Sequence, residues 1–166
     1  MVKFIWAQDK NGLIGSKGRM PWRNKEEINF FKNQTTGGIV VMSYKTWKSM
    51  NYTPLKNRIN IILSHKKTVK VNNNTDKYTN DIVKLVHSVE EVINVYNNSD
   101  RDMWIIGGSS VFKQFEDYCT EAVVSTVDGD YKGDTYYNGL KDKLIDENVV
   151  VTMEGDGFTV RHYKVK

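Results

Sequence analysis

Short apolar runs alternate along the chain with segments of helical periodicity. The apolar runs predict strands over residues 4–7, 39–42, 59–63, 82–86, 103–106 and 122–127. Most of these runs are apolar at consecutive positions, which is typical of strands buried on both faces of a parallel sheet. Segments in which apolar positions recur about every 3.6 residues predict helices over 25–35, 44–50, 89–96 and 110–118. Alternation of this kind indicates an α/β fold.

The C-terminal part of the chain has a different pattern. Two apolar segments, 149–153 and 158–165, flank a sequence that contains Asp156-Gly157, a hairpin signal, so the sheet should carry an antiparallel hairpin at one edge. A polar stretch over 65–81 predicts a surface loop with a short strand. The segments on either side of it are too small to fold separately, so we expect a single domain over residues 1–166.

Composition narrows the classes of protein that this chain resembles. The single cysteine, Cys119, excludes an internal disulfide, and with three histidines the chain gives little support for a metal site. The charge is +4, from 24 basic and 20 acidic residues, and no block of basic residues indicates nucleic-acid binding. No stretch approaches the roughly 20 apolar residues that span a bilayer, and the N-terminal apolar run is too short for a signal peptide. We therefore expect a cytoplasmic protein without membrane or nucleic-acid partners.

Glu27 has two interpretations. It follows Asn24 at the spacing of a capping box, so it could simply stabilise the start of the first helix. At about 100° per residue, however, it projects between Phe30 and Phe31, toward aromatic side chains. A half-buried carboxylate suits recognition of a heterocycle with adjacent N–H donors. Glu26 points elsewhere and is expected to be solvated.

Two predicted strands lead directly into helix starts. Strand 39–42 is followed by Ser43, and strand 103–106 is followed by Gly107-Gly108-Ser109. Free N–H groups at a helix start bind anions, and glycine lets a phosphate approach the backbone. Capping by the serines and a tight glycine turn would explain each motif alone. Two such turns in one small domain fit a ligand with separated phosphates better.

A glycine-rich segment, 12–22, links the first strand to the first helix. Its glycines allow movement, and Pro21 stiffens its end. It could be a plain surface loop, but Ile14, Met20 and Trp22 are large apolar residues that usually pack on something. A mobile segment with apolar side chains could cover a ligand, which suits a reaction from which water is excluded.

Short motifs extend this pattern over essentially the whole chain. In order, they are Trp6-Ala7-Gln8-Asp9, Gly12-Leu13-Ile14-Gly15, Met20-Pro21-Trp22, Glu27-Ile28 to Phe31-Lys32, Thr46-Trp47, Asn57-Arg58, Ile61-Ile62-Leu63-Ser64, Ile106-Gly107-Gly108 and Gly133-Asp134-Thr135. Their order and spacing resemble the small bacterial or phage-type members of the dihydrofolate reductase family.

The resemblance implies a fold and a reaction. The fold is a single α/β domain with a twisted, mainly parallel eight-stranded sheet, an antiparallel C-terminal hairpin strand and four flanking helices. The reaction is NADPH-dependent reduction of 7,8-dihydrofolate to tetrahydrofolate, by hydride transfer to C6 and protonation of N5, in support of one-carbon metabolism. Glu27 would hold the pterin through N3 and the 2-amino group, and Trp22 would help to order the water that carries the proton.

The resemblance also assigns the substrate pocket. Arg58 would form a bidentate pair with the α-carboxylate of the substrate's glutamate tail, although a solvated arginine in a turn is the alternative. The Ser125 hydroxyl would support the catalytic carboxylate. The other implied substrate contacts are Ile5, Ala7, Ile28, Phe31, Lys32, Met50, Leu55 and Ile106. For each of the apolar residues in this set, ordinary core packing is an alternative.

The implied NADPH contacts include a pair of glycines, Gly107 and Gly108, joined by a cis peptide bond. Tyr44 departs from the family, which usually has an arginine there for the 2′-phosphate region, and nearby lysines could supply the charge instead. The full set of implied cofactor contacts is Ala7, Ile14, Gly15, Met20, Ser43, Tyr44, Lys45, Thr46, Leu63, Ser64, His65, Gly107, Gly108, Ser109, Ser110, Val111, Phe112 and Thr135.

Other functions remain open at this stage. A related NADPH reductase that acts on a pyrimidine intermediate of flavin synthesis could share the cofactor turns, but would not need Met20-Pro21-Trp22, Glu27 and Arg58 together. A catalytically silent folate-binding or structural protein could share the fold, and a nucleic-acid module is a more distant alternative. We expect a monomeric enzyme.

Overall fold

The computed structural model describes residues 2–16, 20–72, 74–77 and 82–166. The strands in chain order are β1 (Val2–Gln8), β2 (Leu13–Gly15), β3 (Ile39–Ser43), β4 (Ile59–Leu63), β5 (Val69–Val71), β6 (Asn74–Lys77), β7 (Val83–Val86), β8 (Met103–Gly107), β9 (Glu121–Val127), β10 (Thr135–Tyr136), β11 (Val149–Gly155) and β12 (Phe158–Lys164). The helices are α1 (Lys25–Thr35), α2 (Tyr44–Ser49), α3 (Val89–Asn97) and α4 (Ser109–Phe115), with 3₁₀ turns at Glu116–Tyr118 and Asp146–Asn148.

Eight of the strands form one sheet in the order β11-β12-β9-β1-β8-β3-β4-β7. The six strands from β9 to β7 in this order run parallel to one another. The C-terminal hairpin extends the sheet, because β12 runs antiparallel to β9 and β11 runs antiparallel to β12. The predicted mainly parallel sheet with an antiparallel edge is therefore confirmed.

The sheet is buried on both faces, as the continuous apolar runs predict. Within β3, Val41 packs in one core and its neighbours Val40 and Met42 pack in the other, and all three are 0% exposed. Helices α3 and α4 cover the first face, where Phe112 is buried. Helices α1 and α2 cover the second face, which we call the α1 face.

Helix starts are set by side-chain caps. Asn24 and Ser43 cap α1 and α2 by accepting hydrogen bonds from the backbone N–H groups three residues on, at 3.0 and 3.1 Å. Ser88 caps α3 in the same way at 3.2 Å. The start of α4 has no side-chain cap, because Gly108 is in the N-cap position.

Two features of the fold differ from the prediction. The polar stretch contains two strands, β5 and β6, which pair with each other, whereas one short strand was expected. Residues 73 and 78–81 of that stretch lie outside the described residues. A small sheet of β2 and β10 was not predicted, since segments of three and two residues are too short to show periodicity. Across the described ranges, no helix is both long enough and apolar enough to cross a membrane.

Candidate active site

Glu27 lies in the first turn of α1 with its side chain buried against the α1 face. Asn24 caps this turn, and its side-chain oxygen accepts from the Glu27 N–H at 3.0 Å. The return bond of a capping box, from the Asn24 N–H to the Glu27 carboxylate, is not found among the described residues. Glu27 is 5% exposed, whereas its neighbour Glu26 is exposed and accepts from the Asp156 N–H at 3.0 Å. The capping-box interpretation therefore accounts for the backbone of Glu27 but not for its carboxyl group.

Ser125 faces the Glu27 carboxyl from the sheet. It lies opposite Ala7 in the pairing of β9 with β1, and it is 1% exposed. Burial raises the pKa of Glu27, and the Ser125 hydroxyl opposes this with a smaller lowering of the pKa. Ser125 Oγ forms no hydrogen bond to any described residue, so the hydroxyl and the carboxyl group are neighbours that are not joined by a hydrogen bond. The site thus presents a carboxyl group that is protonated more readily than an exposed one.

Trp22 brings a second unpartnered polar atom to the α1 face. The residue is 8% exposed and packs in the same core as Ala7. Its indole Nε1 is buried without a hydrogen-bond partner in the described parts of the chain. Buried polar groups in proteins are nearly always satisfied, and those that are not mark places where water or a ligand completes the structure. Trp22 Nε1 and Ser125 Oγ are the two atoms of this kind found among the described residues.

Apolar residues predicted to wall the substrate pocket meet on the α1 face. The core there contains buried side chains from β1 and partly buried ones from α1, β8 and the segment after α2: Ile5, Ala7, Phe31, Met50, Leu55 and Ile106. Two predicted contacts on α1 differ from these. Ile28 is 42% exposed and Lys32 is exposed, so neither side chain is occupied by core packing.

Arg58 is buried and held in one orientation. It is 6% exposed, so the interpretation as a solvated arginine is wrong. Its Nη1 donates to Thr35 Oγ1 at 3.0 Å and its Nε donates to the Lys56 carbonyl at 2.8 Å. Thr35 is oriented in turn by a bond from its hydroxyl to the Phe31 carbonyl at 2.9 Å. Burial lowers the pKa of Arg58, and no carboxylate within the described residues forms an ion pair with it. A fixed, buried guanidinium without a carboxylate partner is suited to an anionic ligand.

A cleft of about 860 Å³ opens beside Arg58. Leu55 and Arg58 line it together with two further cationic residues, Lys56 and Arg101. Glu27 does not line this cleft, and it does not line a smaller cleft of about 270 Å³ that is lined by residues such as Trp6 and Tyr137. The cleft therefore adjoins the tail end of the predicted substrate pocket and not its catalytic end.

The two strand-to-helix turns lie side by side, because β3 and β8 are neighbours and Met42 pairs with Gly107. Ser43 Oγ joins the turns, since it accepts from the Thr46 N–H at 3.1 Å and from the Gly108 N–H at 3.4 Å. The Gly107-Gly108 peptide bond is cis, as the resemblance implies. A Cβ atom added at Gly108 would meet only Thr46 Oγ1, at 4.0 Å, so the backbone here is open to close approach.

The four predicted cofactor contacts in the first turn of α4 differ in whether their backbone N–H groups are already hydrogen-bonded. The N–H groups of Val111 and Phe112 donate to the Gly108 carbonyl, and their side chains are 2% and 1% exposed in the core of the other face. The side chains of Val111 and Phe112 are therefore occupied by core packing, and their N–H groups by the Gly108 carbonyl. Ser109 and Ser110 precede them in the first turn, where backbone N–H groups have no intrahelical acceptor.

A lysine lies beside Tyr44, the position at which the family usually has an arginine. Lys66 Nζ lies 4.7 Å from the centre of the Tyr44 ring. Ser64 accepts from the Lys66 N–H at 3.2 Å, and the Ser64 carbonyl lies 2.7 Å from His87 Nδ1. The exposed side chain of His65 follows Ser64 at the end of β4, next to β3. His87 was not predicted, because it is distant in sequence and reaches this edge only through the pairing of β7 with β4.

The remaining predicted cofactor contacts lie at the edge of this region. Gly15 pairs with Thr135 across β2 and β10, and Met20 is 46% exposed. Lys45 is exposed at the start of α2. Ile14 and Leu63 are partly buried against the core of the α3 and α4 face. Residues 17–19 of the glycine-rich segment lie outside the described residues.

Two residues that support the site were missed. Thr35 is 0% exposed and holds Arg58, but a threonine at a helix end carries no signal of this in the sequence. Tyr131 packs its ring against Trp22 with centroids 5.4 Å apart. Tyr131 is an aromatic residue inside the polar segment that follows β9, and this is a weak signal that its ring packs against another part of the chain.

Comparison with known proteins agrees with this arrangement. Dihydrofolate reductase of Lactococcus lactis subsp. lactis is 34% identical over 173 aligned residues, covering 100% of this chain and 99% of that protein. A bifunctional dihydrofolate reductase-thymidylate synthase of Paramecium tetraurelia is 35% identical over 136 residues, covering 81% of this chain and 27% of that protein. The solved structure of dihydrofolate reductase from Enterococcus faecalis, complexed with NADP(H) and RAB-propyl, superposes with a TM-score of 0.83 at 28% identity over 99% of this chain and 95% of that one. The family profile described as dihydrofolate reductase matches residues 1–161, and the chain belongs to that family.

Proposed function

We propose that this protein reduces 7,8-dihydrofolate to 5,6,7,8-tetrahydrofolate with NADPH, and that Glu27 is its catalytic carboxylate. The observation that carries the proposal is the burial of Glu27 next to Ser125, on the face of the sheet where Trp22 is also buried, with Ser125 Oγ and Trp22 Nε1 both unpartnered among the described residues. A carboxyl group is costly to bury without partners, so its place here is best explained by a ligand that supplies them.

The chain's residues fit NADPH. The space over Gly108 is unfilled, so a phosphate group can approach the backbone there. Backbone N–H groups at the starts of α4 and α2 are the donors for phosphate groups. Lys66 supplies positive charge beside Tyr44. The solved relative from Enterococcus faecalis is described as complexed with NADP(H). When bound, NADPH supplies the hydride that is added to C6 of the substrate.

Glu27 orients the pterin and stabilises its charge. An ionised carboxylate accepts two hydrogen bonds, from N3 and from the 2-amino group of the pterin ring. Its negative charge, little screened by solvent, stabilises the positive charge that the pterin carries when N5 is protonated. Burial raises the pKa of Glu27, so the free site takes up a proton more readily than an exposed carboxyl does.

Trp22 and Ser125 define where a proton-carrying water is held. The indole N–H donates one hydrogen bond and cannot accept one, so it fixes the orientation of a water without competing for its proton. The Ser125 hydroxyl lies on the sheet side of Glu27, where it is free to bind the same water or the carboxyl group. The apolar walls, including Ile5 and Phe31, exclude other water molecules from the ring.

Arg58 binds the far end of the substrate. Its guanidinium is oriented by Thr35 and by the Lys56 carbonyl, and it pairs with the α-carboxylate of the glutamate tail. Ile28 and Lys32, whose side chains are exposed on α1, flank the aminobenzoyl part of the substrate. We further propose that the protein acts as a monomer, since Glu27, Trp22 and Arg58 of a single chain can supply the catalytic and tail-binding groups. We also propose that it works in the cytoplasm, where a lone buried cysteine such as Cys119 stays reduced.

The test is loss of the NADPH absorbance on addition of dihydrofolate, with tetrahydrofolate identified as the product. Consumption of NADPH that requires dihydrofolate supports the proposal. Binding of folate without consumption of NADPH would instead identify a catalytically silent relative. Consumption only with an aminopyrimidine substrate of flavin synthesis would identify the other class of reductase.

A further inference from the structure

Asp9 is a buried carboxylate that joins two loops distant in sequence. It follows β1 and is 0% exposed. Its Oδ1 accepts from the backbone N–H groups of Asn11 at 2.9 Å and of Leu13 at 3.0 Å, which stabilises the turn between β1 and β2. Its Oδ2 accepts from the backbone N–H of Tyr131 at 3.2 Å, in the loop after β9. The local turn explains the first two bonds but not the third.

Tyr131 is held at both its backbone and its ring. The ring packs against Trp22 with centroids 5.4 Å apart and planes inclined by 60°. On another side it lies close to Gly129, where an added Cβ would come within 3.0 Å of Tyr131 Cε2. Gly129 has a φ of +108°, a conformation that side chains strongly disfavour, so this position leaves the ring its space.

Two exposed contacts join the same loops without reaching the ring. The side chain of Asn11 donates to Asp130 at 2.6 Å, and Lys10 lies 3.2 Å from the same carboxylate. The side chain of Asp130 is 65% exposed, so solvent screens its interactions. Asp9, being buried, is the contact between the loops that fixes the backbone of Tyr131.

We propose that Tyr131 is a positioning residue for Trp22, and that the Asp9 carboxylate holds Tyr131 for this purpose. The Trp22 indole N–H has no described partner, so no hydrogen bond within the described chain sets its direction, and ring packing does so instead. This inference rests on the proposed function, in which Trp22 orders the water that carries the proton to N5.

The test compares Tyr131→Leu with Tyr131→Phe. The first removes the ring, and the second keeps the ring and removes only the hydroxyl. The first readout is the NMR resonance of the Trp22 indole N–H, assigned by its disappearance in Trp22→Phe. We expect Tyr131→Leu to shift or broaden this resonance, because an aromatic neighbour is lost, and Tyr131→Phe to leave it close to wild type.

The second readout is the rate of hydride transfer. Tyr131→Leu should lower it about three- to tenfold at neutral pH, with the KM for dihydrofolate within twofold, since an aromatic contact of this kind is weak in energy but sets a position. The deficit should narrow in mildly acidic solution, where substrate protonation depends less on an ordered water. Tyr131→Phe should restore the wild-type rate. A deficit that is constant with pH would indicate only a smaller active fraction and would overturn the inference.

Asp9→Asn tests the contact from the other loop. An amide retains one acceptor oxygen and cannot accept with its nitrogen, so it cannot keep all three bonds. We expect the same change in the Trp22 resonance, whereas the control Asp130→Asn removes an equal charge from an exposed side chain and should leave the resonance unchanged. If Tyr131→Leu leaves the Trp22 resonance at its wild-type position, the inference is overturned whatever Asp9→Asn does. A wild-type protein that is inactive on dihydrofolate would refute the proposed function, and the resonance would still decide whether Tyr131 positions Trp22.

Discussion

Replacing Glu27 with glutamine tests the chemistry of the site most directly. The change keeps the size and shape of the side chain and removes its charge. Glu27 is 5% exposed and, within the described part of the chain, the polar group that faces it is the Ser125 hydroxyl, so little solvent or protein screens the charge from a bound pterin. Loss of a preorganised electrostatic group in such a setting costs about 2.7–4 kcal/mol. At about 1.36 kcal/mol per factor of ten, hydride transfer should slow by about 100- to 1000-fold.

The assay is the single-turnover rate of NADPH oxidation in the presence of saturating dihydrofolate. Glu27→Gln should recover toward the wild-type rate as the solution is acidified, because substrate that is already protonated needs less charge stabilisation. Glu26→Gln is a matched control, since Glu26 is the adjacent carboxylate and is exposed. It should keep the wild-type rate throughout. A wild-type rate in Glu27→Gln at neutral pH would refute the assignment of Glu27.

The same variant makes a prediction about stability in the absence of ligands. Burial raises the pKa of Glu27 above its value in the unfolded chain, so the group favours folding most below the unfolded value near 4.5, and this contribution is lost as the pH rises through the folded pKa. Glutamine resembles the protonated form and loses nothing on this rise. Glu27→Gln should therefore have the higher Tm at neutral pH, with the difference shrinking in acid. Equal Tm values at both pH values would show that Glu27 is not destabilised by burial.

Three further substitutions test the remaining parts of the site. Arg58→Leu should weaken dihydrofolate by roughly 10- to 150-fold, equivalent to about 1.5–3 kcal/mol for a charge-assisted bidentate pair, and should weaken a pterin without the glutamate tail far less. Equal losses for both ligands would show that Arg58 is only structural. Tyr44→Arg should raise the ratio of NADPH to NADH affinity, measured at low salt, and an unchanged ratio would show that Tyr44 does not face the 2′-phosphate. Gly133→Ala should lower the Tm, since its Cβ would come within 2.5 Å of the Gly15 carbonyl and overpacking costs about 1–3 kcal/mol; a wild-type Tm would show that this contact relaxes freely.

The parallel part of the sheet could be predicted from the sequence, because its strands are buried on both faces. Residues such as Val40, Val41 and Met42 have apolar surroundings whichever way they point, so the run itself identifies the strand. The helix starts were equally accessible, since Asn24 and Ser43 cap with their own side chains. These are local signals, in which the residues that cause the structure lie within a few positions of it.

Contacts between distant segments could not be predicted in the same way. Thr35 holds Arg58 and Asp9 holds Tyr131, yet each pair is separated by many residues and uses ordinary side chains. The pairing of β2 with β10 depends on the close approach of Gly133 to Gly15. The pattern of apolar and polar residues gives no indication of this contact. The sequence motifs therefore predicted which residues contact the ligands, whereas the side chains that hold Arg58 and Tyr131 could be found only from the structure.

The environment of Glu27 shows why local rules and function diverge at this site. Asn24 already satisfies the N–H of Glu27, so the carboxyl group is not needed for the cap. The Glu27 carboxyl group is instead buried on an apolar face, where its ionised form is unfavourable. Trp22 and Ser125 repeat this pattern, each with a buried polar atom that no described neighbour satisfies. One such atom would be a defect that packing tolerates, but two of them and a buried carboxyl group on the same face favour a single explanation. In the function that we propose, a ligand with adjacent N–H donors and a water satisfy these groups, so binding should recover the stability that the free protein gives up at these positions.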